Sequence, residues 1–234
     1  MDAPQSAPSL GRCAAVYAGV ARKESSISPS ESPSIITLAE RGRRVTYRKN
    51  NILINEGEVS DGVYVILSGK VKVYAMDADA REITYADLGP GDYFGEMSLD
   101  GGPRAASIIT LERTECAVLT RAQVRDYMAE NPAFAFELLV TVIRRAREAT
   151  LLARGLALDD AYVRLKAFLE REAKPQPDGT RMVEEKFTQL EIAGRIGCGR
   201  EMVSRILKSL EEGGFISYRK RLIVLNKALP RRIP

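Results

Sequence analysis

Residues 92–107 read Asp-Tyr-Phe-Gly-Glu-Met-Ser-Leu-Asp-Gly-Gly-Pro-Arg-Ala-Ala-Ser, and they hold the side chains best suited to binding chemistry. Gly95 lets backbone approach closely. Glu96 follows it as a fixed acceptor for hydroxyl donors such as those of a ribose. Gly101, Gly102 and Pro103 enforce a turn, beyond which Arg104 offers a planar fork of donors matched to a phosphate. Ala105 and Ala106 carry no bulk, so their backbone N–H groups can point at the same anion. A plainer alternative stays open at this point: Glu96 and Arg104 simply pair across a surface turn, a contact worth little.

A second constellation lies near the C-terminus. Thr188 with Glu191 three residues later forms a capping box, and Leu190, Ile192, Ala193 and Ile196 give the helix that follows an apolar side. Gly197-Cys198-Gly199 is a tight turn, and a second helix is expected over residues 200–211. Val203, Ile206, Leu207 and Leu210 form its buried stripe, with Arg200, Glu201, Ser204, Arg205 and Lys208 on the opposite face. Two helices joined by a tight turn, the second presenting donors and acceptors, have the layout of a helix-turn-helix. Residues 215–225, with Tyr218-Arg219-Lys220-Arg221 at the tip, read as a β-hairpin wing whose cations suit a phosphate backbone.

Elements must hold these groups in place. Residues 1–34 are rich in Ser, Pro and Ala without a sustained period and read as a disordered tail, with a short helix over residues 14–21. From residue 35 to about 122 the texture is short strands and turns: 45–47, 51–54, 63–67, 71–75, 82–88, 106–111 and 115–120. Ser68-Gly69-Lys70 is read as a hairpin turn, and Gly57, Gly62, Gly69, Gly89 and Gly91 as turn punctuation. The sum is a compact antiparallel β-roll, jelly-roll-like. A short helix over 121–127 closes at Asn131-Pro132, and a long helix follows. Along it Phe136, Leu139, Ile143, Ala146, Thr150 and Ala153 recur at alternating steps of three and four, a coiled-coil seam that predicts a parallel homodimer flanked by Arg144, Arg145 and Arg147. The alternative is a helix packed on its own barrel. Residues 156–164 are similar to a hinge between a long helix and a DNA-binding domain, a resemblance that implies 162–172 as the first helix of a second domain, and 174–179 read as a plain loop. The fold class is therefore α+β, with a β-roll over 35–132, a dimerisation helix over 133–158 and a winged helix-turn-helix over 159–234.

Composition removes several function classes. The 234 residues contain no His, which excludes His-based general base catalysis and His-ligated zinc or haem. Cys13, Cys116 and Cys198 cannot supply four thiolates to an iron–sulfur cluster or make a closed disulfide set. No apolar run approaches the ~18 residues of a membrane span, and no secretory signal is apparent, so the expectation is a cytoplasmic, reducing home. Charge is split along the chain. Residues 1–160 carry 19 basic against 22 acidic side chains, a net of −3, and residues 161–234 carry 16 against 9, a net of +7. A polyanionic partner is expected for the C-terminal third alone.

Phe94-Gly95-Glu96 followed by Pro103-Arg104-Ala105-Ala106 resembles the phosphate-binding cassette of cyclic-nucleotide-binding domains. Gly197-Cys198-Gly199-Arg200-Glu201-Met202-Val203-Ser204-Arg205 resembles the signature of the Crp–Fnr regulators, and the order of the two motifs fits that family over residues 35–225. The resemblance implies a homodimeric transcription factor rather than an enzyme. Its allosteric ligand would be cAMP, with cyclic di-GMP or cGMP as alternatives, or it would bind DNA without a ligand; no metal, haem or iron–sulfur cluster is implied. Glu96 would bind the ribose 2′-hydroxyl and Arg104 the cyclic phosphate, with Ala105 influencing base choice and Gly95 and Met97 completing the pocket. Thr150 would reach the base, partly across the subunit boundary. On double-stranded DNA with a pseudo-palindromic operator, Arg200 and Arg205 would contact guanine and Glu201 cytosine. Ser204 lies on the same face, and Thr188, Lys208 and Lys220 would meet phosphates. Ligand would shift the population toward a dimer whose recognition helices match half-sites about 34 Å apart, with RNA polymerase as a further partner.

Overall fold

Val-Tyr-Val-Ile-Leu-Ser, residues Val63–Ser68, is the strand on which the N-terminal unit is built. Side chains alternate across a strand, so Val63 and Val65 face one hydrophobic cluster while Tyr64 and Ile66 face another. A strand buried on both faces reads as a continuous apolar run. The structure, a computed structural model, describes residues 33–233; of the tail expected over residues 1–34, residues 1–32 with the helix over 14–21 lie outside the described residues, while Pro33 and Ser34 open a helix instead of continuing a tail.

In chain order the N-terminal elements are α1 (Pro33–Glu40), β1 (Arg43–Tyr47), β2 (Ile52–Ile54), β3 (Val63–Ser68), β4 (Val71–Met76), β5 (Glu82–Leu88), β6 (Tyr93–Phe94), β7 (Ser107–Thr110), β8 (Thr114–Leu119), α2 (Arg121–Glu130) and α3 (Pro132–Leu158). Two four-stranded sheets form, in the orders β1-β8-β3-β6 and β2-β7-β4-β5, and every pairing is antiparallel. Ile54, Ile66, Val71, Phe94, Ile108 and Cys116 fill the space between the sheets. On the other face of the first sheet, Val63, Val65, Ala117 and Leu119 pack against Leu38 of α1, Val124 and Tyr127 of α2, and Phe134 and Leu138 of α3. The jelly-roll-like β-roll is therefore present, with its helices on one sheet.

Two local expectations change, and one local feature is new. Ser68-Gly69-Lys70 is not a hairpin turn, because β3 and β4 belong to different sheets. Gly69 turns the corner at φ 89°, where a Cβ would lie 2.5 Å from the Arg113 carbonyl oxygen. Helix α1 occupies the start of the stretch read as strands; Ile35, Leu38 and Ala39 are its buried side, the i, i+3, i+4 spacing of a helix face. Between β6 and β7 a 3₁₀ turn, Glu96–Asp100, is held between two left-handed glycines, Gly95 and Gly101.

The main division of the chain falls between Asp159 and Asp160. Beyond it come α4 (Ala161–Glu172), β9 (Ala173–Pro175), β10 (Arg181–Val183), α5 (Gln189–Ile196), α6 (Arg200–Glu212), β11 (Ile216–Arg219) and β12 (Leu222–Leu225). The strands make one antiparallel sheet in the order β11-β12-β10-β9. Residues 174–179, expected as a plain loop, instead contribute to the β9–β10 hairpin; three-residue strands, one ending in Pro175, leave almost no period-2 signal. Among the described residues no helix is long and apolar enough to cross a membrane.

Candidate functional site

Arg104 is buried, 4% exposed, three residues before the start of β7. Its backbone is pinned on both sides: Gly57 N donates to Arg104 O and Arg104 N donates to Glu58 O, each at 2.9 Å. The guanidinium then finds only neutral acceptors. Nε donates to Ser60 Oγ at 2.8 Å, Nη1 to Gly95 O at 3.0 Å and Ser98 Oγ at 2.8 Å, and Nη2 to Gly62 O at 2.7 Å. Four of the five N–H donors are committed, and one on Nη2 remains. Among the described residues no carboxylate pairs with it, so the plain reading of a Glu96–Arg104 surface pair does not hold. Burial pushes the guanidinium below its ordinary pKa, partly offset by the negative charges of its surroundings. A buried cation only partly compensated in this way is costly, and an anion joining it lowers that cost. Gly95 is required here: at φ 88° its Cβ would lie 2.5 Å from Gly62 O and 2.8 Å from Arg104 Nη1.

Glu96, also buried, has a different partner. Arg145 Nη1 of α3 reaches Glu96 Oε1 at 2.5 Å, Arg145 Nη2 donates to Tyr93 O at 2.6 Å, and its guanidinium lies 5.3 Å from the Tyr93 ring centroid. The long helix is thereby tied to the acceptor next to the buried cation. Sequence reasoning placed Arg145 only beside the seam, because nothing local to it names a partner 49 residues away. It also missed Ser60 and Ser98, although Ser98 lies inside the 92–107 stretch, and it read Gly62 as turn punctuation without seeing that its carbonyl accepts from Arg104.

The structure brings Gly95, Glu96 and Arg104 together. Met97 and Ala105 lie beside them with exposed side chains. Thr150 is exposed, and its hydroxyl donates back to Ala146 O at 2.9 Å; among the described residues no hydrogen bond joins it to Glu96 or Arg104. The seam side chains Phe136, Leu139 and Ile143 are 67%, 52% and 41% exposed, and Val140 and Val142 widen the same apolar surface. Ala146 and Ala153 are exposed as well.

In the C-terminal unit the capping box is present: Glu191 N donates to Thr188 Oγ1 at 3.1 Å, and Thr188 N to Glu191 Oε2 at 2.6 Å. Helix α5 ends at a left-handed Gly197, φ 61°, with Cys198 N donating to Ala193 O. Leu190, expected on the apolar side, is 63% exposed. Helix α6 buries Val203, Ile206, Leu207 and Leu210. Arg200, Glu201, Arg205 and Lys208 are exposed and Ser204 half-buried, so the expected face is intact. Lys220 sits in the two-residue turn between β11 and β12.

Comparison with known proteins assigns the two stretches of chain to two known domain families. Residues 44–131 match the cyclic nucleotide-binding domain family and residues 163–229 the Crp-like helix-turn-helix domain family. The CRP-like cAMP-activated global transcriptional regulator of Mycobacterium tuberculosis is 30% identical over 200 residues, covering 84% of this chain and 89% of that protein. The cAMP-activated global transcriptional regulator CRP of Pasteurella multocida is 31% identical over 205 residues, covering 85% and 97%. Among solved structures, the c-di-GMP-responsive global regulator of Xanthomonas campestris shares the fold, with a TM-score of 0.73 at 24% identity over 83% of this chain and 98% of that one.

Proposed function

The chain belongs to the Crp–Fnr family of transcriptional regulators, and from that premise we propose that it acts as a homodimer whose DNA binding is controlled by a cyclic mononucleotide, cAMP. The observation that carries the ligand reading is Arg104: a buried guanidinium held by four neutral oxygens, with one N–H uncommitted and, among the described residues, no carboxylate in direct contact, beside the buried Glu96. A cyclic phosphate supplies negative charge and accepts the remaining N–H, while a ribose 2′-hydroxyl donates to Glu96. Because Arg145 holds Glu96, occupancy of the pocket acts directly on α3, the helix with the exposed apolar seam. That two relatives are cAMP-activated regulators supports the choice of cAMP for this chain ahead of cGMP and cyclic di-GMP.

At the other end, Arg200 and Arg205 read guanine and Glu201 reads cytosine from the exposed face of α6, with Ser204 beside them. Thr188, Lys208 and Lys220 contact phosphates. Ligand shifts the population toward the dimer that matches an operator of two half-sites. Calorimetric titration with cAMP, cGMP and cyclic di-GMP tests the ligand assignment. The expected result is cAMP binding that weakens by about 2–5 kcal/mol, roughly 30-fold or more, in Arg104→Gln. Binding of cyclic di-GMP alone, or binding indifferent to Arg104, overturns it.

A further inference from the structure

The wing and the β9–β10 turn lie at opposite ends of the C-terminal sheet. Pairing sets Pro175 opposite Arg181, Arg181 opposite Leu225 and Leu225 opposite Ile216. Residues 176–180 therefore sit at the end where β11 begins, and the Lys220-Arg221 turn at the end where it finishes. Arg219 is the last residue of β11, yet its Nη2 lies 2.9 Å from Asp178 Oδ2 in the β9–β10 turn. The guanidinium runs back along the sheet, away from the tip.

Asp178 is built to hold it there. Its Oδ1 accepts from Thr180 Oγ1 at 2.5 Å and Thr180 N at 3.1 Å, which fixes the carboxylate and leaves Oδ2 for Arg219. The Thr180 hydroxyl first, then Arg219, hold this carboxyl down to about 2, so it is anionic near neutrality. At the tip, Lys220 and Arg221 have φ 51° and 68°, in a turn where Asn-Gly is the favoured pair because both positions need positive φ. Two long cations in left-handed backbone are an uncommon choice. Neither has an ion-pair partner among the described residues.

We propose that Asp178 is an electrostatic restraint on the wing: it withdraws Arg219 from the DNA backbone, so each wing offers phosphates Lys220 and Arg221 but not the third cation beside them. The restraint lowers sequence-independent affinity and leaves the contacts of α6 untouched, which widens the gap between operator and non-operator DNA. It rests on the reading that this unit binds DNA.

The test is the salt dependence of binding of the full chain, with cyclic nucleotide present, to a duplex of scrambled sequence. Four proteins are compared: wild type, Asp178→Ala, Arg219→Ala and the double variant. Asp178→Ala is expected to steepen the slope of log K against log salt by about 0.9 for each wing engaged. Arg219→Ala is expected to keep the wild-type slope, and the double variant to return to it. A wild-type slope in Asp178→Ala overturns the proposal. So does a double variant that keeps the steeper slope, since the lost acid would then act by general repulsion. Asp178→Asn, whose amide oxygen can still accept from Thr180, repeats the measurement if the alanine variant melts early. Absence of any duplex binding by the wild type overturns the DNA reading and the restraint together, and is distinguishable because no slopes then exist to compare.

Discussion

Arg104 and Asp178 show how differently two charged side chains are treated by one chain. Arg104 is buried, its guanidinium bonded to neutral oxygens, and the nearby acids offset its burial only in part, so an anion at its remaining N–H would stabilise it. Asp178 is exposed and its charge is fully answered by Thr180 and Arg219. That difference has a pH consequence. An aspartate whose folded pKa is depressed contributes stability that is present above its unfolded value of about 3.9 and is lost as pH falls through the folded value. For Asp178 the window runs from roughly 4 down to about 2. The Asp178 carboxyl resonance should therefore titrate with a midpoint near 2 in nuclear magnetic resonance, and the Arg219 pair should persist unchanged from pH 5 to 8. A midpoint near that of a free aspartate would show that the pair is not formed in solution. At this scale the sites were only partly legible. Gly95, Glu96 and Arg104 were legible because their types and spacing lie within one short stretch. Arg145 and Ser60 were not, and Gly62 showed only as a turn, because their roles arise only when distant segments fold onto that stretch.

Elements were legible where a period runs long enough. Helix α6 matched within one residue, since Val203, Ile206, Leu207 and Leu210 repeat a clear apolar stripe and Gly197-Cys198-Gly199 precedes it. Helix α3 was equally plain over its length. Short or two-faced elements were not: β9 and β10 have three residues each, and the sheet change at Gly69 looks like a hairpin because a corner and a hairpin both call for glycine. The seam of α3 leads to a test at this scale. Ile143 is 41% exposed in the single chain, in line with Leu139 and Ala146. If that face meets its copy in a second subunit, Ile143→Glu places two carboxylates against each other at a buried interface. The expected cost is about 3–5 kcal/mol of dimer stability, the penalty for an uncompensated buried charge. Sedimentation should then find monomer where the wild type is dimeric, with the fold of each unit retained. A dimer of unchanged strength would move the interface off this face.

The charge division along the chain, net −3 over residues 1–160 and +7 beyond, gives the whole molecule one part suited to gathering DNA and another in which the buried Arg104 awaits its anion. If the second controls the first, the two binding events share a coupling free energy, and linkage makes it reciprocal. Whatever factor the cyclic nucleotide adds to operator affinity, the operator must add to cyclic-nucleotide affinity. Couplings of this kind typically amount to about 1–3 kcal/mol, roughly 5–150-fold. Titrating nucleotide into the protein with and without saturating operator duplex, and duplex with and without nucleotide, should return the same factor within that range. In Arg104→Gln the nucleotide effect on DNA should collapse while the ligand-free DNA affinity stays at the wild-type level, because the substitution lies outside the C-terminal unit. A factor of one in both directions, with each partner still bound, would mean that the pocket and the helix-turn-helix operate independently on one chain.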